Sequence, residues 1–336
     1  KDSNINALDL AHDSASLIRA HSTKLSLLII NKPFTASAIS TVLRELVAGP
    51  LPGLASAVEL CNAATYTKAM SEELAWRAKN VFVALGTLVK AVPLDGKTLS
   101  EDQKNGTGKT VGKGSLASTG VVWGACDAVV ELKKLGIAGL LVRKADEYRA
   151  TLKDALEELQ EWGEEESDEE DEEDDVAQDT DGMETSAQDA VDDMFDQRHI
   201  PAEDPDKIRP RLESALKKLR LVVLMYQAVV KRRWKTLPPL PSPQPPQELE
   251  AKSKEDSGIL SRLDKVTSAF KDIPDITDEL AGAFYRLDGP EIDKKMEDCF
   301  STSLEAVELL LKSWEGTEDE FTAWARKFQI AIKEEQ

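Results

Sequence analysis

The chain has 336 residues, carries 62 acidic against 42 basic side chains for a net charge of −20, and is 41% hydrophobic but only 5% aromatic. Its length exceeds the roughly 250–300 residues at which single cores usually divide, so two domains are expected. The three cysteines, Cys61, Cys126 and Cys299, have spacings that fit neither a disulfide framework nor a zinc motif, and no apolar run approaches the roughly 18 residues of a membrane span. An odd cysteine count without a signal peptide points to a reducing compartment, cytosol or nucleus. Leu, Ala, Val, Glu and Lys dominate at helical spacing, which points to all-α structure.

Asp2 to Ile30 reads as an amphipathic helix through Ile5, Leu8, Ala11, Ala15, Ile18, Leu25 and Leu28. A second follows from Phe34 to Ala48, and Gly49-Pro50-Leu51-Pro52-Gly53 reads as a break. Leu54 to Val92 stays helical in pattern, with a bend expected near Thr65 to Thr67. Pro93 to Ser115 is a glycine-rich loop. Leu116 to Leu135 and Ile137 to Trp162 form two helices separated at Gly136, tightly enough for an antiparallel pair.

Glu164 to Asp196 holds eighteen Asp or Glu and no Lys or Arg, so it accounts for nearly all of the net charge. Such density repels itself and offers little apolar surface, so a solvated, disordered tract is expected. Beyond it, Leu212, Leu216, Leu219, Val223, Tyr226 and Val230 form a continuous seam, ending in Lys231-Arg232-Arg233-Trp234-Lys235 as a basic helix C-terminus. Leu237 to Gln247 is proline-rich and reads as a semi-extended linker. The seam returns as Ile259, Leu263, Val266, Phe270, Ile273, Thr277, Leu280, Phe284 and Leu287, with a kink or two abutting helices expected at Pro274. Asp288-Gly289-Pro290 starts another helix, and Thr317 with Glu320 reads as the capping box of the last. The expectation is all-α, about nine helices and no sheet, in two helical bundles. They span 1–163 and 209–336, the second with a Pro-rich loop at 237–247, and an acidic linker at 164–208 joins them.

Nothing in the chain spells out catalysis. Asn105-Gly106-Thr107-Gly108-Lys109-Thr110 resembles a phosphate loop but has Gln103 where the pattern needs glycine. His12, His21 and His199 stand singly, without ligands at metal spacing. No cofactor and no metal are expected, and the protein reads as a non-enzyme. Arg209 to Lys235 holds nine basic residues, several of which, including Lys217, Lys218 and Arg220, fit the solvated face of a packed helix. The upstream acidic tract would compete with phosphates for that face, so direct nucleic-acid binding is not expected. Ser167, followed by Asp168-Glu169-Glu170, has the context favoured by acidophilic kinases and is a candidate for phosphorylation.

Four stretches carry a family resemblance: Val121-Val122-Trp123-Gly124-Ala125-Cys126; the acidic tract with Asp174-Asp175-Val176; Leu216-Lys217-Lys218-Leu219-Arg220; and Asp275-Ile276-Thr277-Asp278-Glu279-Leu280. In this order the chain resembles the cyclin-D-interacting proteins, also called Grap2 and cyclin-D-interacting protein. The resemblance implies a two-part all-α fold like the talin rod and vinculin bundles. It also implies a protein of cytoplasm and nucleus that binds partners, cyclin-type or helix-loop-helix-type, and dampens cell-cycle progression and transcription. Trp123, Lys217, Lys218, Arg220, Asp275, Asp278 and Glu279 are its candidate motif residues. A cytoskeletal or scaffold adaptor is the alternative that the same bundles allow, and neither the partner's identity nor the oligomeric state is legible.

Overall fold

The computed structural model describes residues 5–107, 114–164, 199–201, 203–241 and 249–334, with side chains from 258 onward in the last stretch. Among the described residues it is all-helical, without a strand: α1 (Ala7–Ile30), α2 (Ala36–Ala48), α3 (Pro50–Leu60), α4 (Lys68–Lys90), a five-residue α5 (Glu101–Asn105), α6 (Ser115–Glu164), α7 (Ile208–Val229), α8 (Leu249–Tyr285), α9 (Gly289–Leu309) and α10 (Glu320–Lys333). Contacts group the chain into two compact units. The first is Lys1–Val142 with Leu237–Asp264, and the second is Arg143–Thr236 with Lys265–Gln336. The acidic tract and Ser167 lie outside the described residues, as does most of the proline-rich stretch.

In the first unit α1 is capped by Asn6, whose side chain accepts from the Leu8 and Asp9 amides. The inward face of α1 is built from small residues, Ala7, Ala11, Ser14 and Ala15, which let α3 approach closely. A Cβ on Gly53 would stand 2.6 Å from Ser14 Oγ. The break read over Gly49–Gly53 narrows to Gly49, which caps the end of α2 and the start of α3, and Pro50 to Gly53 already form the first turn of α3. Pro50 and Pro52 fit there because the first amides of a helix have no intrahelical acceptor to lose. The bend expected near Thr65 to Thr67 is present between α3 and α4, where Thr67 caps α4 by accepting from the Met70 amide at 3.2 Å. The Tyr66 hydroxyl accepts from the Ala7 amide at 2.9 Å and ties that bend to the start of α1. Within α6 two helices meet at Gly136, as read, and the helical path is broken there. Gly136 has φ 59° and ψ −171°, a conformation that glycine enters at little cost.

In the second unit the α7 seam is buried as read, from Leu212 to Tyr226, and so is the α8 seam from Val266 to Phe284. Leu287 departs from that pattern: it lies past the end of α8 at φ 58°, half-buried. Pro274 sits inside α8, which continues through it. A proline has no N–H, so the Phe270 carbonyl one turn earlier loses its helical donor. The Tyr226 hydroxyl, fully buried on α7, donates to that carbonyl at 2.7 Å. One tyrosine therefore repairs the gap that one proline makes.

The basic run Lys231–Lys235 corrects a simple helix-end reading. Val230–Trp234 forms a π turn, closed by the Lys235 amide on the Val230 carbonyl at 3.0 Å. The widened turn places Arg233 and Trp234 side by side in the core, 1% and 0% exposed. Arg233 donates to both carboxylate oxygens of Asp319 at 2.7 and 2.9 Å and to the Leu310 and Leu311 carbonyls, and its guanidinium lies 4.3 Å from the centre of the Phe321 ring. This pairing also moves the cap of α10. Asp319, not Thr317, is the N-cap, and it exchanges bonds with Thr322 in a capping box. Thr317 bonds Ser313 instead.

Two stability predictions follow from these contacts. Tyr226→Phe leaves the Phe270 carbonyl buried without a donor and should cost about 1–3 kcal/mol. In a Pro274→Ala background the restored amide serves that carbonyl, so urea titration should show a smaller loss for the same change. The Arg233 hydrogen bond holds the Asp319 carboxyl down to about 2. A depressed carboxylate stabilises the fold above its ordinary value near 4, and that contribution fades as pH falls toward the folded value. Asp319→Asn should therefore cost about 1–2 kcal/mol at pH 7, less than for a fully buried pair because Asp319 is 37% exposed, and much less by pH 2.

Candidate functional site

The candidate residues from the sequence do not converge on one site. Trp123 lies on α6 in the first unit, partly exposed. Its indole N–H donates to Thr23 Oγ1 at 3.0 Å, and the Arg19 guanidinium, itself paired with Asp127 at 3.0 Å, stands 5.3 Å from its ring centre. The motif residue thus fastens α6 to α1.

Lys217, Lys218 and Arg220 lie on α7 in the second unit. Lys217 is exposed; Lys218 is half-buried, with its ammonium 5.5 Å from the centre of the Phe300 ring on α9. Arg220 donates to Gln160 of α6 at 2.8 Å. Asp275, Asp278 and Glu279 lie exposed on α8, where Glu279 pairs with Lys295 of α9. Three of these six side chains, Lys218, Arg220 and Glu279, bridge neighbouring helices of the unit. Burial, with Asp275 and Glu158 nearby, pushes the Asp278 carboxyl up. Burial and Glu158 likewise push the Tyr285 phenol up to about 12.

Burial also pushes the Cys61, Cys126 and Cys299 thiols up to about 12, so they stay protonated near neutrality. Among the described residues no three His, Cys, Asp or Glu side chains gather to hold a metal, and no helix is long and apolar enough to cross a membrane.

The concave feature that sequence reading missed lies in the first unit, between α1 and α2. It is an open groove of about 490 Å³ lined by Lys24, Leu27, Leu28, Ala38, Thr41, Val42 and Glu45. Leu27 is 51% exposed, an unusual placement for leucine in a helix whose other stripe is fully packed. At one edge His21 Nδ1 lies 3.3 Å from Glu45 Oε2, joining the two helices. Lys24, exposed on the groove lining, makes no ion pair among the described residues. The signal was present in the sequence as Leu27 beside Leu28, where a single stripe needs only one of the two.

Among the described residues the protein is thus all-α, with an open groove in its first unit and with Lys218, Arg220 and Glu279 in helix-to-helix contacts. Residues 11–165, just under half of the chain, match the family model described as Grap2 and cyclin-D-interacting, N-terminal, and this match supports a likeness to that family. An uncharacterized protein of Schizosaccharomyces pombe is 28% identical over 158 residues, which are 47% of this chain and 44% of that relative. The chain thus spans less than half the length of the curated relative it matches. The groove residues Lys24 to Glu45 all fall inside the family match.

The Asp278 environment gives a test with a definite sign. A carboxyl raised by folding favours the folded state at low pH and loses that advantage as pH rises through its folded value. Asp278→Asn should therefore raise the thermal midpoint at pH 7 relative to the parent and leave it unchanged at pH 3, as scanning calorimetry would show.

Proposed function

We propose that the protein is a non-enzymatic regulatory binding module that uses the α1–α2 groove of its N-terminal unit to hold an apolar helix face of a partner protein. By family, the partners are cyclin-type or helix-loop-helix-type proteins, and the outcome is restraint of cell-cycle progression and transcription in cytoplasm and nucleus. The observation that supports this reading is the groove itself: a floor of Leu27, Leu28, Ala38 and Val42 open to solvent inside the segment that matches the family. An amphipathic helix laid in such a groove buries its apolar stripe, while Lys24 and Glu45 at the margins select its orientation by charge.

The experiment is a titration of purified full chain with a D-type cyclin and, separately, with a helix-loop-helix domain. Leu27→Glu puts a charge on the groove floor at an already exposed position, so it should weaken partner binding by about a hundredfold while leaving helicity intact. Leu224→Glu, at a similarly exposed position on α7, should bind as the parent does. Equal binding by the parent and Leu27→Glu would overturn the groove assignment, and no binding to either partner class would overturn the functional reading.

A further inference from the structure

Helix α4 is apolar on two sides. Met70, Leu74, Ala78, Val81, Leu85 and Leu88 are buried. On the opposite side Ala75, Trp76, Phe82, Val83 and Gly86 face solvent, with Trp76 61% and Val83 62% exposed. That outward side also carries Glu72, Lys79, Thr87 and Lys90, so Trp76, Phe82 and Val83 form an apolar patch set among charged and polar residues. Gly86 sharpens the point. A Cβ there would touch nothing among the described residues, so no packing among them calls for glycine. Its bareness opens a hollow on an outward face.

The stripe is complementary to itself. Taking Val81 as the midpoint, Glu72 and Lys90 lie nine residues before and after it, and Trp76 and Gly86 lie five before and after. Glu72 and Lys90 also share one line along the helix, about five turns apart. Glu72 is held only loosely by Lys68, at 3.8 Å with both side chains mostly exposed.

We propose that α4 is a self-association face, on which two copies of this chain pack their α4 helices antiparallel about a two-fold axis at Val81. Each Glu72 then meets the other copy's Lys90, and each Trp76 indole enters the hollow between Val83, Gly86, Thr87 and Lys90 opposite it. The isologous arrangement satisfies both ends at once, because every contact is made twice. Lys79, near the middle, covers apolar surface with its stem and carries its ammonium to the edge of the interface. This face uses none of the α1–α2 groove residues, so it stands independently of the partner-binding reading.

The test is sedimentation velocity of the full chain across a concentration series, with circular dichroism as the fold control. The parent should show a reversible dimer, and Trp76→Ser should weaken it at least about tenfold without loss of helicity. Glu72→Lys and Lys90→Glu should each weaken it by about tenfold, because each replaces two attractive pairs with two repulsive ones. Mixed one to one, those two variants should associate as well as the parent, since the mixed pair restores both contacts. A parent that stays monomeric up to about 100 μM, a Trp76→Ser variant that dimerises normally, or a mixture no better than either single variant would each overturn the proposal.

Discussion

The second unit is assembled around a cation in its core. Arg233 can be buried because every face of its guanidinium is answered: two carboxylate oxygens of Asp319, the carbonyls of Leu310 and Leu311 left without helical donors past the end of α9, and the ring of Phe321. Removing any one of these would leave a desolvated charge short of partners. The arrangement fixes three things together. The π turn ends α7, the chain after α9 takes its course, and Asp319 rather than Thr317 starts α10. Trp314 joins the same knot through its indole N–H on the Arg233 carbonyl at 2.7 Å.

A similar economy holds at Pro274. The proline would leave a buried carbonyl orphaned in the middle of a 37-residue helix, and Tyr226 answers it from the facing helix. Aromatic contacts around that point, Tyr226 with Phe270 at 4.2 Å and Trp234 with Phe270 at 5.1 Å between ring centres, tie the tyrosine's position to the same core that holds Arg233. Polar chemistry inside the unit is thus structural.

Both units use charged side chains laterally, Arg19 on Asp127 and Lys133 on Asp9 in the first, Arg211 on Asp293, Arg220 on Gln160 and Lys295 on Glu279 in the second. Both also leave apolar side chains exposed, at Leu27, Trp76 and Val83 in the first and at Leu224 and Ile330 in the second. Exposed apolar side chains beside already packed helix faces are what the proposed binding and self-association readings build on.

The sequence by itself determined that the chain is helical, where most helices lie, and which stripe of each is core. Three- and four-residue spacing forces one face inward, whatever it packs against, and the buried seams of α7 and α8 follow it almost residue for residue. Spacing also located the bend before α4 and the start at Asp288. The tertiary structure alone decided the rest. Periodicity cannot show that a basic run hides a buried arginine, because that depends on a carboxylate 86 positions later in the chain. It cannot show that a tyrosine serves a proline 48 residues on, nor that Leu28, read into the seam of α1, lines an open groove while Ile29 takes the buried place. Whether an apolar side chain is buried or bare depends on what stands opposite it, and only the folded arrangement of helices supplies that.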